Sequence, residues 1–186
     1  MATASNVSAG KPKIGGAISV APTTITSTQM PSDATTTLDA AFSNLGYVSE
    51  DGVTNAYSTD TNDIAAWGGD VVLSVRGATS DTWKFTFIEA LNLDVLKEVY
   101  GASNVTGTLT SGITVKANNA NPVARVWAID MVLTDGAVKR IVIPNGTISE
   151  RGDVVYKDDE PIGYEVTILA APDANGNSHY EYIKRV

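Results

Sequence analysis

A mainly β (α+β) fold is predicted for this chain: an antiparallel β-sandwich or partly open barrel with one flanking α-helix. Three observations predict it. From Tyr47 onward apolar and polar residues alternate with a period of two, the pattern of strands whose successive side chains face opposite sides of a sheet. Asx-Gly pairs, the residues of tight turns, punctuate those runs. One segment downstream of Tyr47, "NLDVLKEVYG", breaks the alternation with helical spacing between helix caps.

Residues 1–41 hold no aromatic residue and are rich in Thr, Ser and Ala. Such a segment buries little, so this N-terminal arm is expected to be partly mobile. Within it "KIGGAISVAPTTITST" has the β-branched residues for one or two short strands. Leu38, Ala41, Phe42 and Leu45 are spaced i, i+3, i+4, i+7, with Ser32 or Asp33 upstream and Gly46 after, which predicts a short helix beginning in the arm. Residues 42–186 read as the β domain proper, one domain overall.

Val71, Leu73 and Val75 form one alternating run; Trp83, Phe85 and Phe87 form the next. Asn92 is placed to cap a helix, Asp94 to meet its positive end and Gly101 to stop it, with Leu93, Leu96 and Tyr100 as the expected buried stripe. Arg125, Trp127, Ile129, Met131 and Leu133 share a strand face, and Asp135-Gly136 predicts the hairpin that follows. Asn145-Gly146, after Ile141–Ile143, predicts another. Tyr164, Val166 and Ile168 make a further strand, and "SHYEYIKRV" closes the chain after the turn-rich "PDANGN".

The composition narrows the function. At 43% hydrophobic and 18% charged the chain falls in the globular range. It has no cysteine, which removes disulfides, zinc-thiolate sites and cysteine nucleophiles. With 13 basic against 21 acidic residues the net charge is −8, and Lys139-Arg140 and Lys184-Arg185 are its adjacent basic pairs. Nucleic-acid affinity depends on cationic neutralisation of phosphates, so a DNA-gripping role is not expected. The N-terminus shows no signal-like apolar region, and no run approaches the ~20 apolar residues of a membrane span, so a soluble protein made in the cytoplasm without a membrane anchor is expected.

No catalytic, cofactor or metal site is predicted. His179, the one histidine, has no evident nucleophile to serve and reads as a surface strand residue. "DANGNS" spaces Asp173, Asn175 and Asn177 like a calcium loop, but Ser178 replaces the sixth-position glycine and Lys184 the final glutamate, so it reads as a hairpin turn with Asx side chains bonded to their own backbone. "KDDEP" reads as a solvated charge run. "LGYVSEDGVT" (Leu45–Thr54) sets Glu50 beside Asp51, but Asp51-Gly52 predicts a two-residue type I′ hairpin turn, whose tip would splay neighbouring carboxylates rather than face them across a cleft.

That stretch, with "IAAWGGD" (Ile64–Asp70), "FTFIEALNLDVLKEVYG" (Phe85–Gly101) and "GYEVTILAAPDANGN" (Gly163–Asn177), resembles the major tail protein, or tail tube protein, of long, non-contractile-tailed bacteriophages, in particular those of actinobacteria. The resemblance covers the chain from about Phe42. It implies a tail-tube fold, assembly as six-membered rings stacked into a tube, and a place in the virion tail. It further implies terminator, tape measure and baseplate or tip proteins as partners, and a lumen through which DNA passes without specific binding. In that family a long loop contributes to ring stacking; here it would fall in "TNAYSTDTNDIAAWGG" (Thr54–Gly69), a polar, turn-prone stretch with Ile64 and Trp67 as candidate anchors. The rival for Trp67 is a place in its own subunit's core. The alternatives for the whole chain are a β-sandwich module that binds a carbohydrate or receptor, and a hydrolase built on acidic residues.

Overall fold

The structure, a computed structural model, describes residues 2–185. Strands make up 45% of it against 8% helix, which settles the mainly β class. In chain order the strands are β1 (Gly10–Pro12), β2 (Ile18–Pro22), β3 (Ser43–Asn44), β4 (Thr54–Ala65) and β5 (Val71–Phe87). Helix α1 (Leu93–Tyr100) follows, then β6 (Val105–Thr108), β7 (Gly112–Val115), β8 (Arg125–Leu133), β9 (Val138–Arg151), β10 (Tyr164–Ala170) and β11 (Tyr180–Lys184). Nine strands form one antiparallel sheet in the order β3-β2-β8-β9-β10-β5-β4, with β1 beside β8 and β11 beside β9; β6 and β7 form a separate ribbon. The sheet is not closed into a barrel, and the fold is consistent with the expected β-sandwich-like architecture.

Apolar side chains cover both faces of its centre. On one face Ile18, Val20, Phe85, Phe87, Trp127, Ile129, Ile143, Val166 and Ile168 pack with Val95, Leu96 and Val99 of α1. On the other, Ala21, Val126 and Val142 lie under Ile25, Met30, Phe42, Tyr180 and Tyr182. Burying one such aliphatic or aromatic side chain is worth about 1.5–3 kcal/mol. Strand β2, read as part of the arm, lies inside the sheet between β3 and β8, with Ile18 fully buried.

Helix α1 forms where its caps predict: Asn92 Oδ1 accepts from the Asp94 N–H at 3.0 Å, and Gly101, at φ 93°, ends it. Its buried stripe is Val95, Leu96 and Val99, while Leu93 and Tyr100 are only partly covered, a correction of one residue in phase. The helix expected over Leu38–Leu45 does not form. Phe42 packs on one face of the sheet and Leu45 on the other, a division that a single helical stripe cannot supply. Instead the chain turns over residues 39–42, where the Phe42 N–H meets the Asp39 carbonyl, and then runs extended as β3, with the Leu45 N–H on the Ile18 carbonyl. What pins the preceding loop is Arg140, 2% exposed, whose Nε and Nη2 hold Asp130 at 2.6 and 3.0 Å while Nη1 donates to the carbonyls of Asp33 and Thr36.

Asp135-Gly136 makes the β8–β9 hairpin as expected. Asn145-Gly146 does not turn; it lies inside the 14-residue β9. Gly146 is there for space. A Cβ would stand 2.6 Å from Trp127 Cδ1 and 2.8 Å from Ile168 Cγ2, and the Trp127 indole N–H donates to the Gly146 carbonyl at 3.0 Å. Asp51-Gly52 is a turn without a hairpin. Gly52 N–H meets the Ser49 carbonyl at 3.0 Å, but neither Glu50 nor Asp51 has the positive φ that type I′ requires. Val48 pairs with Phe87 and Thr54 with Lys84, so both flanks lie along β5 and residues 49–53 bulge between them. "PDANGN" behaves alike: β10 and β11 both run along β9, and residues 171–179 loop out between. Asp173 Oδ1 accepts there from the N–H groups of Asn175 and Asn177, the expected Asx bonding.

Gly146→Ala is expected to overpack the Trp127 contact and destabilise the subunit by about 1–3 kcal/mol in urea unfolding; a neutral result would mean the contact relaxes freely. Asp33 supplies a pH test. The Thr36 hydroxyl, then the Thr36 and Thr35 N–H groups, hold its carboxyl far below the usual carboxylate range. A lowered folded-state value stabilises above the ordinary carboxylate range and is lost as pH falls toward the folded value. The melting temperature should therefore drop between pH 5 and pH 3, and less steeply in Asp33→Asn.

Candidate assembly surface

Strands β4 and β5 pair from Thr54↔Lys84 to Ala65↔Val71. Strand β10 supports β5 only over Thr82–Phe87, so residues 55–81 leave the sheet as a two-stranded ribbon, roughly 35 Å long at strand rise. The polar loop expected over Thr54–Gly69 is thus strand β4 followed by a tip. Its Thr and Ser residues satisfy their backbone through the ladder, and Ala66 N–H closes the tip on the Asp70 carbonyl at 2.7 Å. Isolated two-stranded ribbons are marginally stable in water.

This ribbon is where the exposed apolar side chains gather. Tyr57, Ile64, Val71, Val72, Leu73 and Val75 are all exposed, and Trp67 at the tip is completely so. Trp67 therefore has no place in its own core, which removes that rival. Neighbours such as Val71 and Val72 point to opposite sides of the ribbon, so both faces are partly apolar. Acids share the surface: Asp60, Asp63 and Asp70 against Arg76, with Ser74 bonded to Asp63 and Arg76 to Thr59. The alternation of Val71, Leu73 and Val75 was legible in sequence; that both sides of it lie outside the core was not.

The root of the ribbon is held by a cluster that sequence reading missed. Asp81, 2% exposed, accepts from Asn55 Nδ2 at 2.7 Å, Ser178 Oγ at 2.6 Å and His179 Nδ1 at 2.5 Å. The carboxylate thus ties β4, β5 and the segment leading into β11 together. His179 is no surface strand residue; only about a fifth exposed, it also meets Trp83 edge to face. The signal available was an acid set two residues before a core tryptophan in a strand run. The Ser, His and Asp do not make a nucleophilic triad, because Ser178 bonds the same Asp81 oxygen as the histidine and not the imidazole. Glu50 and Asp51 stay on their exposed turn, where Asp51 accepts from Ser49 Oγ at 3.2 Å. Among the described residues no three His, Asp or Glu side chains converge as metal ligands.

A long ribbon, apolar on both faces, thus leaves an open antiparallel sheet with its apolar side chains in solvent. The phage tail tube protein family matches residues 11–185. The chain belongs to that family. It is thus a structural tail tube protein of the virion tail, one that polymerises into a tube with other tail proteins. No curated protein matches it. Among the described residues no helix is long and apolar enough to cross a membrane.

Asp81→Ala would leave three donors unpaired, at about 1–3 kcal/mol for such a loss. Lower stability in denaturant and faster proteolysis within residues 55–80 are expected. Stability and cleavage both at wild-type level would show that the cluster does not clamp the ribbon.

Proposed function

We propose that this protein assembles as six-membered rings stacked into the tail tube, and that the tube is the channel through which the phage genome is delivered. The observation that carries this is the β4–β5 ribbon: a soluble subunit gains nothing by holding Trp67 and four aliphatic residues of β5 in water, whereas a ring stacked on another can bury them. One surface repeated by symmetry suffices. Contacts within a ring close on themselves, and contacts between rings do not, so a single chain builds a filament. The net charge of −8 suits a lumen that DNA slides through without adhering. Ile64 and Trp67 act as the anchors between rings. Terminator, tape measure and baseplate or tip proteins complete the tail at its ends, in keeping with the resemblance to tail proteins of actinobacteriophages.

Truncating a buried interface tryptophan commonly costs 2 kcal/mol or more, which over six equivalent contacts is roughly 12 kcal/mol per added ring. Trp67→Ala should melt as the wild type does, since an exposed side chain is removed, yet fail to make tubes in negative-stain electron microscopy. Normal tubes from the variant would remove Trp67 from the interface. A wild type that stays monomeric at all concentrations and binds a specific glycan would replace the tube reading with a binding module.

A further inference from the structure

We propose that the N-terminal strand is exchanged between subunits: in the assembled tube, β1 of one copy pairs with β8 of its neighbour in place of the neighbour's own β1. The inference rests on the tube reading above. In the isolated subunit β1 pairs through Gly10↔Leu133, Lys11↔Val132 and Pro12↔Met131, and Ser8 and Ala9 reach Thr134. Every residue from Ala2 to Gly15 is exposed. No side chain of the segment is buried in its own subunit; it is held by a short ladder, by hydrogen bonds of Ser8 and Ala9 with Thr134, and by Lys13, whose N–H and ammonium both reach Asp130.

What precedes β2 has the form of a hinge. β1 and β2 both run along β8, and residues 13–17 loop out opposite the single residue Asp130. Gly15 and Gly16 take left-handed φ values of 88° and 114°, Gly15 with open space around it, and Ile14 stands almost wholly in solvent at the apex. Opening this loop between Lys13 and Gly15 leaves the buried Gly16 and Ala17 in place and gives up the Lys13 contacts with Asp130, which the Asp130 of a neighbouring copy replaces. The acceptor edge, by contrast, belongs to the body: Met131 packs against the core, and Gly10 passes directly over its sulfur.

Charge selects the partner. The segment carries Lys11 and Lys13 and no acid precedes Asp33, on a chain whose net charge is −8. A neighbouring copy therefore offers it an identical edge, with the same Asp130 carboxylate for Lys13, on a chain that is acidic overall. Exchange preserves every contact made within the subunit, so the balance is tipped by whatever the loop and its flanks gain against the neighbour. When each copy donates to the next around a ring, the contact is heterologous and closes. Five residues span at most about 18 Å, so donor and acceptor must be direct neighbours.

The chain has no cysteine, so engineered pairs report without background. Lys11→Cys and Val132→Cys are made as separate variants, mixed before assembly and oxidised after it, with each variant alone as control; Ala9→Cys and Thr134→Cys serve as a second pair should the first perturb folding. Exchange predicts a shift from monomer to covalent dimer on non-reducing gels, in mixtures that show tubes by electron microscopy and in neither control. Tubes whose mixed subunits remain monomeric, while a doubly substituted chain links to itself, overturn exchange and leave the tube reading intact. Failure of the wild type to form tubes under any condition overturns the tube reading and exchange with it.

Discussion

The indole of Trp127 lies against the backbone of Gly146, and its N–H ends on that residue's carbonyl 3.0 Å away. This contact sits where β9 changes partners, from β8 and β11 on one stretch to β10 on the next. A strand that long cannot stay flat, because sheets twist by some 20° from one strand to its neighbour. A residue without a side chain at the crossing lets β8 and β10 close over β9 from either side, and the fully buried Trp127 fills the space between them. Phe85 and Ile168 then pack around the same point. The main core depends on that closeness.

The three longest strands of the sheet centre share a device. Strand β8 is lined by β1 and then β2, β5 by Val48 and then β4, and β9 by β10 and then β11. In each case one continuous strand is paired by two consecutive segments running the same way, with a loop expelled between them. The device satisfies the backbone of the long strand while letting its partner place a turn on the surface. It also explains why three turn signals, at Gly15-Gly16, Asp51-Gly52 and Asn175-Gly176, lie where the chain bulges and then resumes its direction. None of them reverses it.

The same economy leaves the β4–β5 ribbon unsupported. Strand β10 stops pairing β5 at Thr82, and no other described strand takes over. The body invests a buried carboxylate, Asp81, in fixing the ribbon's root, because a lever is useful to an assembly only if its base is rigid. Rigidity at the root and exposed apolar surface toward the tip are two halves of one arrangement. Under the proposed stacking of rings, such surface can lie outside the subunit's own core because a neighbour covers it.

Much of this was legible in the sequence. The mainly β class, helix α1 with its Asn92 and Gly101 caps, the β8–β9 hairpin at Asp135-Gly136 and the strand of Tyr164, Val166 and Ile168 are all local patterns: side-chain period, a cap, a left-handed glycine. Each is determined by interactions that span a few residues. Pairing is different. Whether Asn145-Gly146 turns or runs straight depends on Trp127 and Ile168, and whether Phe42 and Leu45 share a helical face depends on which side of β2 each must cover. Asp81 acquires its role from Ser178 and His179, nearly a hundred residues away. Trp67 reads the same in sequence whether it belongs to a core or to a ribbon tip; only the extent of β10 decides that nothing in its own subunit reaches it. Sequence determines what each segment prefers over the length of a turn, and the tertiary structure decides which of those preferences meet a partner.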